Sequence, residues 1–393
     1  MPLGFYISVP FCRTKCTYCN FASDVFSRAV FEKYVVRLCA EIEHTPETAE
    51  QMGASLESGV DTIYFGGGTP TLLDVSQLER VFVTIRQNLD VHPQAEITVE
   101  CAPGTLSGEM LECFSRNDVN RVSLGVQSFI DQEARSVGRL HDRETVLHDI
   151  ARLRSAGISN INVDLIAGLP HQTRESWGQS LNELIATGVP HASVYMLEVD
   201  EDSRLGRELI AGGQKYHSHF VPDEDLVADM YEVACERLNA AGIEQYEISN
   251  FARPGFESKH NLKYWTRQPY LGFGVDAHSM LLLPNGADAI RFSNPDSLEQ
   301  YVAGSSPNRS LVSRSAALEE SCFLGLRLNR GIGVHELPLR GQKNVSAFTE
   351  IIDELISIGL LERDRDTVRL TLKGRLLSNE VFERFIALEP AGF

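Results

Sequence analysis

Through the first 200 residues, short apolar runs alternate with amphipathic helical stretches, and that rhythm limits the fold more than any other feature of the chain. Residues 4–9, 61–65, 96–101, 121–126, 160–166 and 192–197 are short, apolar and rich in β-branched or aromatic side chains, which predicts strands. Residues 29–43, 76–88, 143–156 and 174–187 carry helical periodicity, and Gly157 and Gly188 stand where helix C-caps belong. Six strands with helical crossovers require a parallel sheet with right-handed connections. An open doubly wound sheet and a partial barrel both satisfy this pattern. In either, ligands gather at the C-terminal ends of the strands.

After position 200 the rhythm changes. Residues 223–241 predict a helix and 244–248 a strand, while 250–265, polar and aromatic with Pro254 and Gly255, reads as a loop. Asn285-Gly286 between apolar runs predicts a hairpin, and 294–309, rich in Asn, Pro, Ser and Gly, a linker. From about 310 onward three helices and a short hairpin, 360–362 with 368–371 around 363–366, suggest a winged-helix module. Residues 311–393 hold 11 Lys/Arg against 12 Asp/Glu, so the module lacks the basic footprint of a DNA reader.

The 393-residue length favours two domains. A formal net charge of −18 argues against a nucleic-acid partner. No apolar run approaches a membrane span, and the N-terminus lacks the basic flank of a signal peptide, so the expected compartment is the cytosol. An acidic surface still allows a local patch to dock peripherally at a membrane protein.

Three of the eight cysteines, Cys12, Cys16 and Cys19, fall within eight residues directly after the first strand. Thiolates are the usual ligands of iron–sulfur clusters. Three of them on a [4Fe–4S] cube leave one iron open to chelate the amino and carboxylate groups of S-adenosylmethionine (SAM). Reductive cleavage of a carbon–sulfur bond would then free a 5′-deoxyadenosyl radical. The alternative is structural zinc, which needs a fourth ligand. The next candidates are Cys39, expected deep in a helix, and His44 at its end.

Other polar residues collect at the same strand ends. Tyr18 can pack on an adenine, and Arg13 and Lys15 add positive charge beside an anionic cluster. Gly66-Gly67-Gly68-Thr69-Pro70 follows the second strand and permits close backbone approach, with carbonyls for an ammonium group. Glu100 suits ribose hydroxyls or an ammonium, and Arg139 a carboxylate. Gln127 and Asp164 complete the set, and each of these residues has a structural ion pair or a solvated loop position as its alternative.

With these residues in place, the chain resembles the radical SAM family that contains oxygen-independent coproporphyrinogen III oxidase and the HemW-type haem chaperones. The resemblance covers nearly the whole chain. It rests on Tyr6, the cysteine segment with Tyr18, the Gly66–Pro70 turn, residues 123–129, Arg139-Leu140-His141, residues 164–170 and residues 370–379. It implies an α/β fold: a partial six-stranded (β/α) barrel over 1–220, a linking region over 221–305 and a winged-helix-like α+β domain over 306–393. It also implies SAM contacts at Tyr6, Tyr18, Gly67, Gly68, Thr69, Glu100, Gln127, Arg139 and Asp164.

Two features separate the branches. The oxidase pattern carries a further cysteine where this chain has Phe21, and a long extension where only eleven residues precede Cys12. His260-Asn261-Leu262-Lys263-Tyr264-Trp265 is similar to the His-Asn-x-x-Tyr-Trp segment associated with haem in the chaperones. Histidine is a common axial ligand, and Tyr264 and Trp265 offer apolar faces to a macrocycle. His260, Asn261, Tyr264 and Trp265 are therefore the expected haem residues. The resemblance favours a chaperone that passes haem to acceptor haemoproteins, including those of respiratory chains, with a low-potential electron donor for the cluster. The alternative is oxidative decarboxylation of coproporphyrinogen propionates.

Overall fold

The computed structural model describes residues 1–56, 59–284, 288–333 and 345–386. Twelve strands form one sheet: β1 Leu3–Val9, β2 Val60–Gly67, β3 Val91–Cys101, β4 Arg121–Gln127, β5 Asn160–Ala167, β6 His191–Met196, β7 Glu244–Gln245, β8 Asn250–Ala252, β9 Tyr270–Gly274, β10 His278–Leu282, β11 Ala289–Ser293 and β12 Asn308–Val312. Their order is β12-β11-β10-β9-β1-β2-β3-β4-β5-β6-β8-β7. Strands β1 to β6 are parallel and lie in chain order. A doubly wound sheet reverses its strand order at a switch point; here none occurs, so the winding is that of a partial (β/α) barrel. The sheet stays open, with β9–β12 extending it beyond β1, and β8 and β7 beyond β6.

Strand alternation sorts the barrel into two faces. Phe5, Ile7, Ile63, Phe65, Ile97, Val99, Val122, Leu124, Ile161, Val163, Ala192 and Val194 point outward and join the helices in the main core. The intervening residues, among them Tyr6, Tyr64, Thr98, Glu100, Ser123, Asn162, Asp164, Ser193 and Tyr195, face the other way. The barrel is thus apolar outside and polar inside, an arrangement that needs internal hydrogen bonds or a ligand to offset desolvation.

The structure departs from expectation after residue 240. The strand expected over 244–248 is only Glu244–Gln245. The expected loop 250–265 contains β8 and the helix Lys259–Trp265, whose N-cap is the Ser258 side chain accepting from Asn261 N. The expected linker 294–309 holds the helix Leu298–Val302, capped by Ser297, and runs into β12. Its Tyr301 is buried against Tyr34, and the Tyr301 hydroxyl donates to Glu41 at 2.6 Å. The sheet therefore draws strands from both sides of the expected boundary near 305. The Asn285-Gly286 turn lies outside the described residues; the strands it joins, β10 and β11, pair antiparallel.

The C-terminal module sets the helices Arg314–Leu326 and Val345–Ser357 against a small sheet of β13 Ile332–Gly333, β14 Leu361–Asp364 and β15 Thr367–Leu370. Two short helices follow the hairpin, so among the described residues two helices precede it, not three. Charge fixes the docking. Glu320, nearly buried, takes Arg267 at 2.8 Å and Arg291 at 2.6 Å, and the fully buried Glu247 takes Arg327 at 3.2 Å. No helix among the described residues is long and apolar enough to cross a membrane.

Candidate cluster and cofactor site

The loop after β1 carries the three cysteines, all partly exposed and none in a disulfide. It is held at several points. Cys12 N donates to Asp24 O at 3.0 Å, Thr17 N to Val137 O at 3.2 Å, and Thr14 Oγ1 to Gly138 O at 2.9 Å. Lys15, expected from sequence to add positive charge beside a cluster, also has a structural part in the loop. Its Nζ donates to Phe21 O and Ser23 O, both at 2.6 Å, and clamps the loop.

A cavity of about 520 Å³ opens at the C-terminal ends of the strands, within the range of small-molecule sites. Cys12, Cys16, Cys19, Tyr18, Gly67, Gly68, Thr69, Glu100, Gln127, Arg139 and Asp164 all line it. Arg327, Leu376, Ser378 and Asn379 reach it from the C-terminal module, and Phe21 stands at its rim. Among the described residues no three His, Cys, Asp or Glu side chains converge on one point to hold a single ion. Cys39, buried on the helix Arg28–Glu43, and His44 do not line the cavity.

The glycine turn is shaped by crowding. A side chain at Gly68 would meet Phe11 O at 2.6 Å and Val9 O at 2.8 Å, and Gly67 has φ +96°. Both positions therefore require glycine. Gln127 holds a left-handed φ of 69° at the irregularity between β4 and β5. Its buried Oε1 has no hydrogen-bond partner among the described residues. Arg139 donates to the Tyr18 hydroxyl at 3.0 Å, and its Nε is buried without a partner. Asp164 accepts from Asn162 at 2.7 Å and Ser123 at 3.2 Å. The unpaired amide oxygen and guanidinium nitrogen, the bare backbone turn and the three thiols fit a cluster-bound amino-acid cofactor.

Burial raises the Glu100 carboxyl to about 7, against the Tyr64 hydrogen bond and with the nearby Asp164 charge adding to the rise. Because the folded value exceeds the ordinary 4.5, protonated Glu100 contributes stability that is full below pH 4.5 and lost as pH rises through about 7. Glu100→Gln keeps an acceptor for Tyr64 and removes the titration. Cofactor-free Glu100→Gln protein is expected to melt above the parent at pH 8, by roughly 3 kcal/mol at most. The gap should close toward pH 4.5 in thermal scans. Equal midpoints at pH 8 would contradict this assignment.

Tyr6 does not line the cavity. It lies deeper on the inner face, stacked with Tyr64 at 6.0 Å and His260 at 6.3 Å between ring centres. The expected haem residues are also elsewhere. His260 plugs the N-terminal end of the barrel, 1% exposed, with Nδ1 at 2.9 Å from Thr62 Oγ1 and Nε2 at 2.8 Å from the Tyr264 hydroxyl. Its backbone N donates to Glu96 at 3.1 Å. Burial, with the Lys263 and Arg121 charges, lowers its ring to about 3. Asn261 N donates to Ser258 Oγ, and Trp265 lies under the Arg327 guanidinium at 4.2 Å. His260 thus has no ring nitrogen open to iron in this conformation.

Residues missed from sequence line the inner face: Tyr64, Arg121, Ser123, Asn162, Ser193 and Tyr195. The signal was a polar residue at every second strand position. Arg121 is 1% exposed and sits among Glu100, Asp164 and His260 as a countercharge.

Comparisons with known proteins agree with this geometry. Residues 6–184 match the Radical SAM superfamily, and residues 312–377 match the HemN C-terminal domain. Heme chaperone HemW of Lactococcus lactis is 34% identical over 98% of this chain and 97% of its own length. Heme chaperone HemW of Bacillus subtilis is 34% identical over 97% of this chain and 98% of its own. The chain belongs to the HemW family of radical SAM proteins. Membership of the radical SAM superfamily implies a [4Fe–4S] cluster and SAM, and the residues lining the cavity fit both. The Escherichia coli coproporphyrinogen III oxidase HemN superposes with a TM-score of 0.82 at 24% identity, over 98% of this chain and 90% of that one. At that identity the likeness concerns the fold, which the HemW family shares with the oxidase.

Proposed function

We propose that this protein is a haem chaperone that binds haem and passes it to acceptor haemoproteins, those of respiratory chains included. The observation that carries the proposal is the likeness to proteins named heme chaperone HemW along almost the full chain, C-terminal module included. Phe21 at the cavity rim, where the oxidase pattern has a further cysteine, also weighs against propionate decarboxylation. Cys12, Cys16 and Cys19 would hold the cluster, whose open iron would chelate SAM and supply one-electron chemistry from a low-potential donor. Arg139 would meet the SAM carboxylate, Gly67 to Thr69 its ammonium, Glu100 and Asp164 its hydroxyls, and Tyr18 and Gln127 would border the adenine. These groups orient the cofactor and exclude water, while Tyr6 supports them from below. The protein would act in the cytosol and meet membrane acceptors peripherally. Anaerobically purified protein titrated with haem is expected to develop a Soret band and to lose it to an apo-haemoprotein. No Soret response, with or without SAM, would overturn the proposal.

A further inference from the structure

Two half-buried arginines, Arg139 and Arg327, line the cofactor cavity, and SAM carries a single carboxylate. Arg139, which donates to the Tyr18 hydroxyl between Cys16 and Cys19, is the residue proposed for that carboxylate. Arg327 enters from the C-terminal module, as the C-cap of the helix Arg314–Leu326. Nothing in the cofactor's own chemistry accounts for it.

Arg327 is firmly held, yet only part of its fork is used. Its neighbours Leu328 and Asn329 fix the backbone: Leu328 forms a bridge to Glu247, and Asn329 N donates to Tyr246 O at 3.0 Å. Nη2 of Arg327 donates to Glu247 Oε2 at 3.2 Å, the one ion pair of this arginine among the described residues. Its Nε is buried and has no hydrogen-bond partner. Glu247 is fully buried, and its Oε1 already accepts from Ser249 N at 3.0 Å and from Asn250 Nδ2. These donors offset the Glu247 charge within the protein and leave the rest of the guanidinium available. The guanidinium lies over the Trp265 ring at 4.2 Å, and the Trp265 Nε1–H is likewise buried without a partner. A buried indole N–H ordinarily finds an acceptor. Two orphaned donors on stacked groups, one of them at a cavity wall, suit a carboxylate.

We propose that Arg327 binds a propionate of haem, with Trp265 as its support. Trp265 ends the helix Lys259–Trp265, the segment expected to meet the macrocycle. A haem seated on that helix would present a propionate to the arginine stacked on the helix's last residue. Ile248 and Ser249 line the cavity with Arg327, so this contact would tie the cargo to the wall of the cofactor site. The planar fork matches a carboxylate bidentately, which a lysine ammonium does not reproduce. A propionate contact does not depend on which group takes the iron. This inference rests on the haem-chaperone proposal and names the residue that reads the cargo's carboxylate.

The test compares haem with haem dimethyl ester, whose propionates are uncharged, in Soret titrations of the full-length protein. The unsubstituted protein is expected to bind haem about tenfold to a hundredfold more tightly than the ester. In Arg327→Gln and Arg327→Lys, haem affinity should fall to near that of the ester while ester affinity stays unchanged, a pattern that general damage to the site would not produce. Arg327→Lys keeps a positive charge beside Glu247, so it guards against a variant that fails to fold, with circular dichroism as the check. Equal affinity for haem and ester in the unsubstituted protein overturns the site, and so does an undiminished preference for haem in folded Arg327→Lys. Both results leave the chaperone proposal standing. No Soret response to either compound overturns the chaperone proposal itself.

Discussion

Cys16→Ala protein, prepared and reconstituted without oxygen, is expected to retain almost none of the parent's iron and acid-labile sulfide. Each thiolate would hold a different iron of the cube, so removing one would leave two irons open and the remaining ligands on a single loop. No substitute stands nearby. Of the eight cysteines, Cys39, Cys101, Cys113, Cys235 and Cys322 are buried, and only Cys101 among them lines the cavity. Burial holds the Cys101 thiol well above its ordinary range, which disfavours the thiolate that iron requires. The loop itself should survive, because its anchors at Cys12 N, Thr14 and Thr17 do not involve the Cys16 sulfur. Unchanged circular dichroism with lost iron is therefore the expected pair of results. Full iron and sulfide content in Cys16→Ala would show that the ligands are elsewhere.

A second large effect is expected at the barrel floor. Lys263 is almost completely buried, its side chain 3% exposed, and its Nζ lies 2.7 Å from Asp61 Oδ1. The same nitrogen donates to Pro2 O at 2.9 Å and to Gln268 at 3.2 Å. Lys263→Met keeps the aliphatic stem but strands a carboxylate and a backbone carbonyl. Breaking a buried pair costs roughly 3–5 kcal/mol. Asp61 is 35% exposed, so water recovers part of that loss and about 3 kcal/mol is expected. For a chain of this size the melting midpoint should fall by about 5 °C. The Lys263→Met, Asp61→Asn pair should recover much of the loss, since it removes the stranded charge. An unchanged midpoint in the single variant would contradict the view of residues 259–265 as a structural plug.

The sequence pattern located the parts of the fold whose determinants are local. Strands β1 to β6 fall within a few residues of expectation at most ends because each apolar run is bounded by a turn or a helix cap. The helix Arg174–Thr187 ends at Gly188, which takes the left-handed conformation expected of a C-cap. Strand order was not local. Only the pairing of β1 through β6 in chain order separates a partial barrel from a doubly wound sheet. The helix Lys259–Trp265 was hidden because seven residues are too few to show helical periodicity, and Pro254-Gly255 made its surroundings read as loop. The Ser258 cap was its one available signal. Residues 294–309 misled for a related reason, since Ser and Asn serve helix caps as readily as linkers.

The site divides along the same line. The cysteine loop and the strand residues Glu100, Gln127 and Asp164 line one cavity because barrel geometry gathers strand ends by construction, and Arg139 joins them from the connection after the helix Asp131–Ser136. The burial of His260 could not be read from its neighbours in sequence. Its partners Thr62 and Glu96 lie 198 and 164 positions away, on strands that meet it only in the folded barrel.

The central claim is that three thiolates leave one iron of a cube open to an amino-acid chelate inside this cavity. The most direct measurement is the electron paramagnetic resonance spectrum of the reduced, anaerobically reconstituted wild-type protein before and after SAM. A [4Fe–4S]⁺ signal whose g-values shift on adding SAM is the expected result. Zinc without iron, or a cluster signal indifferent to saturating SAM, would contradict it.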